Sequence, residues 1–293
     1  MVRAGLRSFT GWIARLLVLM TATLLAFAGA SEPHVAARVR IPPHAEIPDD
    51  KLTGSEIYER VLDNRFDTYI QETTLTSADR GGNAQTTRLK MWFESLRDAD
   101  RKPLDGITLS KTLVRYLAPF DLRHSGYLVI NKLDFPNDQF VYLNSQRLVR
   151  RVNLRGETVF GTDFSFEDVI PHELEDSTYS RLPDEQIEGR PVFVIEAVPK
   201  PIAKSEYSKI RAYVEKDRSL VLRARYWDER EIIIKEMTAH LGAIELIQRV
   251  WVPRRITMRH LKLDSYTTLN VDEIDPNIEL TRTHFDLRRL EGH

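Results

Sequence analysis

The sequence predicts an α+β protein built on one large, curved antiparallel sheet that forms an incomplete, half-open β-barrel, with a few helices covering its concave face. Two observations lead to this prediction. From residue 67 onward, runs of residues with strand-like alternation follow one another, separated by short polar turns and without intervening helical patterns. A sheet of so many strands cannot remain flat and open, because strand twist makes it curl or split into two layers.

Composition limits the classes of function. The chain has 293 residues, of which 42% are hydrophobic, and this is enough for a globular core. Its 42 basic and 43 acidic residues leave no basic excess for a nucleic-acid surface, so nucleic acid is not an expected partner. The absence of cysteine excludes disulfides, thiol nucleophiles, cysteine-ligated zinc and a lipid-modified N-terminal cysteine.

The first thirty residues have the features of a secretory signal peptide. Arginines precede an apolar stretch at 16–27, and small residues follow it, which predicts cleavage between Ala30 and Ser31. The alternative is an uncleaved membrane anchor, but the apolar run is shorter than the ~20 residues that a spanning helix needs. We therefore expect a soluble periplasmic protein.

The remainder divides into a leader and one domain. Residues 31–50 contain four prolines and no apolar periodicity, which is typical of a flexible leader. Residues 51–293 are expected to form a single domain. It begins with a capping box at Thr53 and Glu56, followed by apolar residues at helical spacing, so we expect a helix that packs one face on the sheet.

Alternation and turn residues predict twelve strands in the domain. They cover residues 68–77, 86–94, 107–117, 127–133, 140–143, 191–199, 210–215, 220–226, 232–240, 244–250, 254–261 and 265–271. The strand at 191–199 is almost continuously apolar, as expected for a strand that is covered on both faces.

The second predicted strand supplies candidates for the wall of an apolar interior. Leu89, Met91 and Phe93 share one side of it, because side chains alternate along a strand. Trp92 and Tyr142 are further candidates, as large aromatic residues of predicted strands. The sequence leaves open whether this interior is filled by side chains or open to a ligand.

Residues 142–168 form the segment around which the chain is organised. Four arginines occur within nine residues: Arg147, Arg150, Arg151 and Arg155. A stretch rich in aromatic and acidic residues follows, and its main members are Gly161, Asp163, Phe164, Ser165, Phe166, Glu167 and Asp168. The short acceptor side chains of Asp163 and Ser165 predict a turn into a short helix.

We expect the arginines to pair with the acidic residues and hold the connection against the sheet. The alternative is that they meet an anionic head group or a partner's carboxylates at the cavity mouth.

The same segment resembles the outer-membrane lipoprotein-sorting proteins with a LolA-like fold, in the LolA/LolB-like superfamily. The resemblance rests on Tyr142 and Leu143, the Arg150-Arg151-Val152 run and residues 161–168, with mild departures at Asn144, Val152, Thr162 and Phe166. It implies a strongly curved, incomplete barrel closed by helices, with an apolar cavity suited to acyl chains. It also implies an inner-membrane transporter of the RND type as a partner.

Catalytic, metal and cofactor sites are not expected. The eight histidines are scattered, and neither an H-E-x-x-H nor a G-x-S-x-G pattern occurs. Residues 172–176 offer the only candidate cation ligands, and a solvated acidic turn is the simpler interpretation. Asp163, Glu167 and Asp168 could form an acid–base pair, but pairing with Arg150, Arg151 and Arg155 explains them more simply.

Two functional hypotheses remain, from different classes. The first is a non-enzymatic periplasmic carrier that shields acyl chains of lipoproteins or other lipids, touches membranes transiently and helps move its cargo to the outer membrane. The second is a periplasmic sensor or scaffold that resembles the MucB/RseB regulators and acts with a transporter or another envelope protein. Those regulators carry a second C-terminal domain, and we expect none here, which favours the carrier.

Overall fold

The structure is a computed structural model that describes residues 48–78, 80–153, 156–159 and 161–291. The predicted signal peptide, its cleavage site between Ala30 and Ser31, most of the predicted leader and Arg155 lie outside these residues. None of the helices within the described ranges is long and apolar enough to cross a membrane.

One antiparallel sheet dominates the described part of the chain. The strands are β1 (Thr68–Ala78), β2 (Ala84–Ser95), β3 (Thr108–Ala118), β4 (Gly126–Lys132), β5 (Asp138–Leu143), β6 (Leu148–Arg151), β7 (Ser177–Ile187), β8 (Arg190–Pro199), β9 (Lys209–Glu215), β10 (Leu220–Trp227), β11 (Ile233–Ala239), β12 (Ile244–Ile247), β13 (Val250–Pro253), β14 (Arg255–His260) and β15 (Ser265–Pro276). Thirteen of them form a sheet in the order β6-β5-β4-β3-β2-β1-β15-β14-β11-β10-β9-β8-β7. Its edges, β6 and β7, are not paired with each other in the described residues, so the barrel is incomplete. The predicted fold class is confirmed.

The first and the last strand of the chain are neighbours in the sheet. Leu75 in β1 lies opposite Leu269 in β15, and the two strands stay paired from one end to the other. Strands β1–β6 form one half of the sheet and β7–β11, β14 and β15 form the other, so this single pairing joins the two halves. Its formation requires residues almost two hundred positions apart to meet.

The sheet has two distinct faces. The inner face is defined here as the side that carries Leu89, Met91 and Phe93 in β2, and it forms the largest apolar core. Cross-strand partners continue this face, with Tyr69 opposite Phe93 and Tyr116 opposite Leu89. The alternate residues of the same strands form the outer face.

Two helices lie on the inner face. Helix α1 (Gly54–Asp63) begins with the predicted capping box of Thr53 and Glu56, and its Ile57 packs on Phe193 and Ile195 of β8. Gly54 is required at its start because a Cβ atom there would lie 2.8 Å from the backbone of β7. The short helix α2 (Phe166–Val169) covers the inner face of the opposite half of the sheet.

The third helix departs from the prediction that helices cover the concave face. Helix α3 (Leu287–Leu290) and the 3-10 turn before it pack on the outer face, where Phe285 and Leu290 contact Trp92 and Tyr142. The interpretation of Trp92 and Tyr142 as members of the same wall as Leu89 is therefore wrong. Trp92 alternates with its neighbours in β2, and Tyr142 likewise points away from the inner face.

Three strand assignments also need correction. The single strand predicted at 244–250 is a hairpin of β12 and β13, turned by Gln248 and Arg249 in the left-handed region with φ of 45° and 83°. Strands β6 and β7 were not predicted. Strand β7 contains Pro183, which usually argues against a strand, but it is an edge strand and its pairing is interrupted between Leu182 and Glu185.

Candidate functional site

The segment between β6 and β7 covers the inner face. We call residues 156–159 and 161–170 the arm. None of its residues belongs to the 13-stranded sheet. Instead, it folds on itself through backbone hydrogen bonds from Val159 N to Phe164 O (2.7 Å) and from Phe166 N to Glu157 O (3.0 Å).

Local sequence explains the conformation of the arm. Ser165 and Asp168 form a reciprocal capping box at the start of α2, with Ser165 N donating to Asp168 Oδ2 at 2.8 Å. This confirms the predicted turn into a short helix. Gly161 has φ of +70°, and a Cβ atom at this position would lie 2.6 Å from the side chain of Gln85. The glycine therefore allows both the backbone conformation and the close approach to β2.

The apolar side chains of the arm fill the inner face. Val159, Phe164, Phe166 and Ile170 are buried in the same core as the inner-face residues of the sheet. The ring of Phe166 lies 4.5 Å from that of Tyr127 in β4, measured between centroids. The sequence left open whether the interior is filled or open, and in this structure the arm fills it.

The predicted wall residues of β2 lie beneath the arm. Leu89, Met91 and Phe93 are 2%, 8% and 0% exposed and share one core with the apolar arm residues. The cavity bordered by Val129 and Ile170 measures about 10 Å³, which is too small to hold more than one water molecule. A larger ligand would therefore have to replace arm side chains.

Asp163 is the first polar anchor of the arm. Its carboxylate accepts hydrogen bonds from the hydroxyls of Ser265 and Thr267 in β15, the second over 2.7 Å, and its backbone N–H donates to Thr267 Oγ1 at 2.8 Å. Thr267 Oγ1 also lies 3.1 Å from Ser77 Oγ in β1. The arm is thus tied to the two strands that join the halves of the sheet.

Asp168 is the second anchor. Lys235 in β11 places Nζ 3.2 Å from Asp168 Oδ2 and donates to the hydroxyl of Tyr207 at 2.9 Å. That hydroxyl donates in turn to Asp168 Oδ1 at 2.9 Å. Burial and the neighbouring carboxylates of Asp168 and Glu206 raise the pKa of Tyr207 far above its ordinary value, so its proton stays available for this bond.

A third contact joins the arm to the connection between β8 and β9. The backbone N–H of Glu206 donates to Glu167 Oε2 at 3.1 Å. The Glu206 carboxylate lies 3.5 Å from Lys235 Nζ, so that one ammonium group faces two carboxylates. Burial raises the pKa of Glu206, and Lys235 opposes this shift only in part.

The predicted pairing of Arg150 and Arg151 with the arm is wrong, and Arg155 lies outside the described residues. Arg151 pairs with Asp138 in the neighbouring strand β5, and Arg150 is an exposed residue of the edge strand β6. The carboxylates of Asp163 and Asp168 are instead satisfied by hydroxyls and by Lys235. The partner of Arg151 depends on the register between β5 and β6, which the sequence does not show. This register places Arg151 on the outer face, beside Asp138.

The acidic residues at 172–176 are not a solvated turn. Glu173 is fully buried and lies 3.0 Å from the guanidinium of Arg97, which also pairs with Glu175 at 2.7 Å. Arg65 approaches Glu173 to 3.6 Å. These ion pairs hold the exit of the arm against the end of β2. Within the described ranges, no group of three or more potential ligands is arranged to hold a metal ion.

Sequence reasoning did not single out Tyr207, Lys235, Ser265 or Thr267. They lie between 39 and 104 positions from their partners in the arm, and each occurs alone in an ordinary strand or loop pattern. The sequence contained one signal for this group: Lys235 alternates with apolar residues along β11, which indicates a lysine on the inner face.

Chemically, the group of Asp168, Tyr207 and Lys235 resembles a set of acid–base residues. The side chains of Asp168 and Lys235 are 1% and 4% exposed, however, and the arm lies over them. No substrate atom can reach them while the arm is in place. The arrangement serves to hold the arm.

Comparisons with known proteins agree with this fold. The model of a family described as "Uncharacterized protein" matches residues 108–292. No curated protein sequence is significantly similar to the chain.

Three solved structures share the architecture. A DUF1329 family protein from Desulfovibrio piger is 22% identical, with a TM-score of 0.73 over 81% of this chain and 97% of that chain. A putative outer membrane lipoprotein-sorting protein domain from Vibrio parahaemolyticus is 20% identical, with a TM-score of 0.71 over 81% and 98%. A LolA superfamily protein from Nitrosomonas europaea is 17% identical, with a TM-score of 0.64 over 80% and 98%. These similarities show a common LolA-like fold.

Proposed function

The chain belongs to the family of uncharacterized proteins whose model matches residues 108–292, and it has a LolA-like fold; from this premise we propose that it is a non-enzymatic periplasmic carrier of acyl chains. Its cargo is the acyl part of lipoproteins or other lipids, which it helps to move to the outer membrane. One observation supports this most directly: a segment outside the sheet covers an apolar face with apolar side chains of its own. An acyl chain that replaces the arm meets the same wall, formed by Leu89, Met91 and Phe93.

The energetics of such an exchange are balanced. Uncovering four apolar arm side chains costs about 6–12 kcal/mol, at about 1.5–3 kcal/mol for each. Burying an acyl chain of about 14 methylene groups returns about 11 kcal/mol, at ~0.8 kcal/mol for each group. The two terms are of the same size, so neither the covered nor the loaded state is strongly favoured. A carrier that must both take up and release its cargo needs this balance.

The attachment of the arm suits a reversible cover. The arm is bonded to the sheet by side chains, chiefly Asp163 to Thr267 and Asp168 to Lys235, and the strands beneath it are paired with one another and not with the arm. Lifting the arm therefore breaks side-chain contacts and leaves the sheet intact. Polar groups that are freed in this way can be solvated by water.

The localisation and the partners of the carrier are parts of the same proposal. The signal-peptide features of residues 1–30 support export to the periplasm, with a mature protein that starts at Ser31. The resemblance to lipoprotein-sorting proteins supports transient membrane contact and an RND-type inner-membrane transporter as a partner. Cell fractionation with N-terminal mass analysis tests the first part, and an intact Met1 product in the membrane pellet would contradict it.

The decisive experiment asks what the protein carries. We expect native mass spectrometry of the protein from the cell envelope, followed by lipid extraction, to show a bound amphiphile. The purified protein should also bind a fluorescent fatty acid or lipopeptide. If neither lipid nor lipopeptide binds while an envelope protein does, the carrier is refuted and the sensor or scaffold takes its place.

A further inference from the structure

A groove lies beside the base of the arm. Its volume is about 360 Å³, which falls within the range of pockets for small ligands. One side is formed by the start of β5 and the edge strand β6, and the other by the 3-10 turn Pro201–Ala203 between β8 and β9. The side chains that matter for its chemistry are Gln139, Arg151, Val152, Asn153, Ile202 and Lys204.

The groove is positively charged. Arg151 and Lys204 line it, and its lining contains no carboxylate. Arg151 is bonded to Asp138, but its side chain is 68% exposed, and the Asp138 carboxylate is shared with Lys132. No carboxylate among the described residues forms an ion pair with Lys204. Two cations therefore face a space in which only one of them has a counter-charge.

The groove lies next to the place where the proposed acyl chain would bind. Gln139 is buried and borders both the groove and the small cavity beside Val129 and Ile170 of the inner-face core. Val152, in the wall of the groove, packs against the same core. About one layer of side chains therefore separates the groove from the inner face. Ile202 adds an exposed apolar surface on the opposite side.

We propose that this groove binds the anionic head group, a phosphate or a carboxylate, of an amphiphile whose acyl chain replaces the arm on the inner face. This inference rests on the proposed carrier function and specifies the class of its cargo. Arg151 and Lys204 contact the oxyanion, since charge-assisted hydrogen bonds are the strong ones, and Asn153 offers a neutral donor. Arg150, the other arginine of β6, contributes only to the field around the groove.

The test compares two lysolipids with the same acyl chain. Lysophosphatidylglycerol carries a net negative charge and lysophosphatidylcholine does not, and each is used to displace a fluorescent fatty acid from the purified protein. We expect about tenfold tighter binding of the anionic lipid, which is the effect of one good charge-assisted contact. In the double variant Arg151→Gln, Lys204→Gln this preference should disappear, so that the two lysolipids bind with equal affinity.

A matched control isolates the groove. Lys262 is an exposed lysine in the turn between β14 and β15, and it does not line the groove. Together with Arg259→Gln at an exposed position of β14, Lys262→Gln removes the same two charges and should leave the preference unchanged. A preference that falls equally in this control would mean that net charge alone is responsible, and the site would be refuted.

The outcomes separate the two proposals. If both lysolipids bind equally well to the wild-type protein, or if the double variant keeps its preference, the head-group site is refuted and the carrier remains. If neither lysolipid binds, the carrier itself is refuted. Glycerol 3-phosphate serves as the free anion, and if it binds to the groove as tightly as the lysolipid, the site is one for small anions and the lipid assignment is overturned.

Discussion

Lys235 in β11 and Asp168 in the arm form an ion pair, with 3.2 Å between Nζ and Oδ2, and their side chains are only 4% and 1% exposed. The hydroxyl of Tyr207 bonds to both of them. A buried pair of this kind adds little to stability compared with apolar residues, but loss of one partner leaves an uncompensated charge. The pair therefore fixes the position of the arm more than it stabilises the fold.

Removal of Lys235 should be strongly destabilising. We expect Lys235→Met to lower the free energy of unfolding by about 3–5 kcal/mol, because Asp168 would remain charged and buried. The double variant with Asp168→Asn, which keeps the helix cap, should lose less than the sum of the single losses. Denaturant titration measures all three. Lys209→Met, which breaks a surface pair with Glu231, is the control and should cost at most about 1 kcal/mol.

A second prediction concerns Asp163. Because it bonds to Thr267 and not to Arg151, the variants Asp163→Ala and Thr267→Val should be coupled, whereas Asp163→Ala and Arg151→Ala should be additive. Asp163→Ala should cost about 1–3 kcal/mol, since it leaves buried hydroxyls without their acceptor. Coupling between Asp163 and Arg151 in denaturant titrations would show that the arm contacts the edge strand in solution.

The bonding partners of Asp163 and Arg151 show which parts of the structure can be predicted from the sequence and which cannot. Local patterns predict α1 from Thr53 and Glu56, the short helix after Ser165, and eleven of the strands within a few residues, because caps, turns and alternation act over short distances. The partners of the arm depend on which strands become neighbours across the sheet. The pairing of β1 with β15 brings Thr267 beneath Asp163, and no local signal encodes this. The positions of Trp92 and Tyr142 on the outer face have the same origin, since α3 covers them from the far end of the chain.

Glu206 should make stability depend on pH. Burial raises its pKa above the ordinary value of 4.5, and Lys235 offsets the shift only in part. Because the folded state holds this proton more tightly than the unfolded state, the contribution is fully present below pH 4.5 and is lost as the pH rises through the folded-state pKa. Glu206→Gln stays neutral throughout, so its stability relative to the wild type should increase from pH 4 to pH 8.

Denaturant midpoints at several pH values check this prediction. Glu188→Gln, at an exposed position of the turn between β7 and β8, provides the same chemical change away from the arm. The stability of Glu206→Gln relative to the wild type could instead be the same at every pH. This result would show that burial does not raise the pKa of Glu206.

The last prediction separates the two faces of β2 in acyl binding. Met91 lies on the inner face beneath the arm, 8% exposed and with its sulfur 3.7 Å from the hydroxyl of Tyr69. Arg88 lies on the outer face beside Glu72, and its side chain is 51% exposed. Met91→Glu places a carboxylate in the wall that an acyl chain would contact, so we expect its affinity for a fluorescent fatty acid to fall at least tenfold. Arg88→Glu places the same group in the same strand but on the opposite face, and should leave the affinity within about twofold.

Circular dichroism and thermal melting first establish that both variants are folded. Equal losses in the two variants, or no loss in Met91→Glu, would mean that the acyl chain binds elsewhere, because the two carboxylates lie on opposite faces of the same strand.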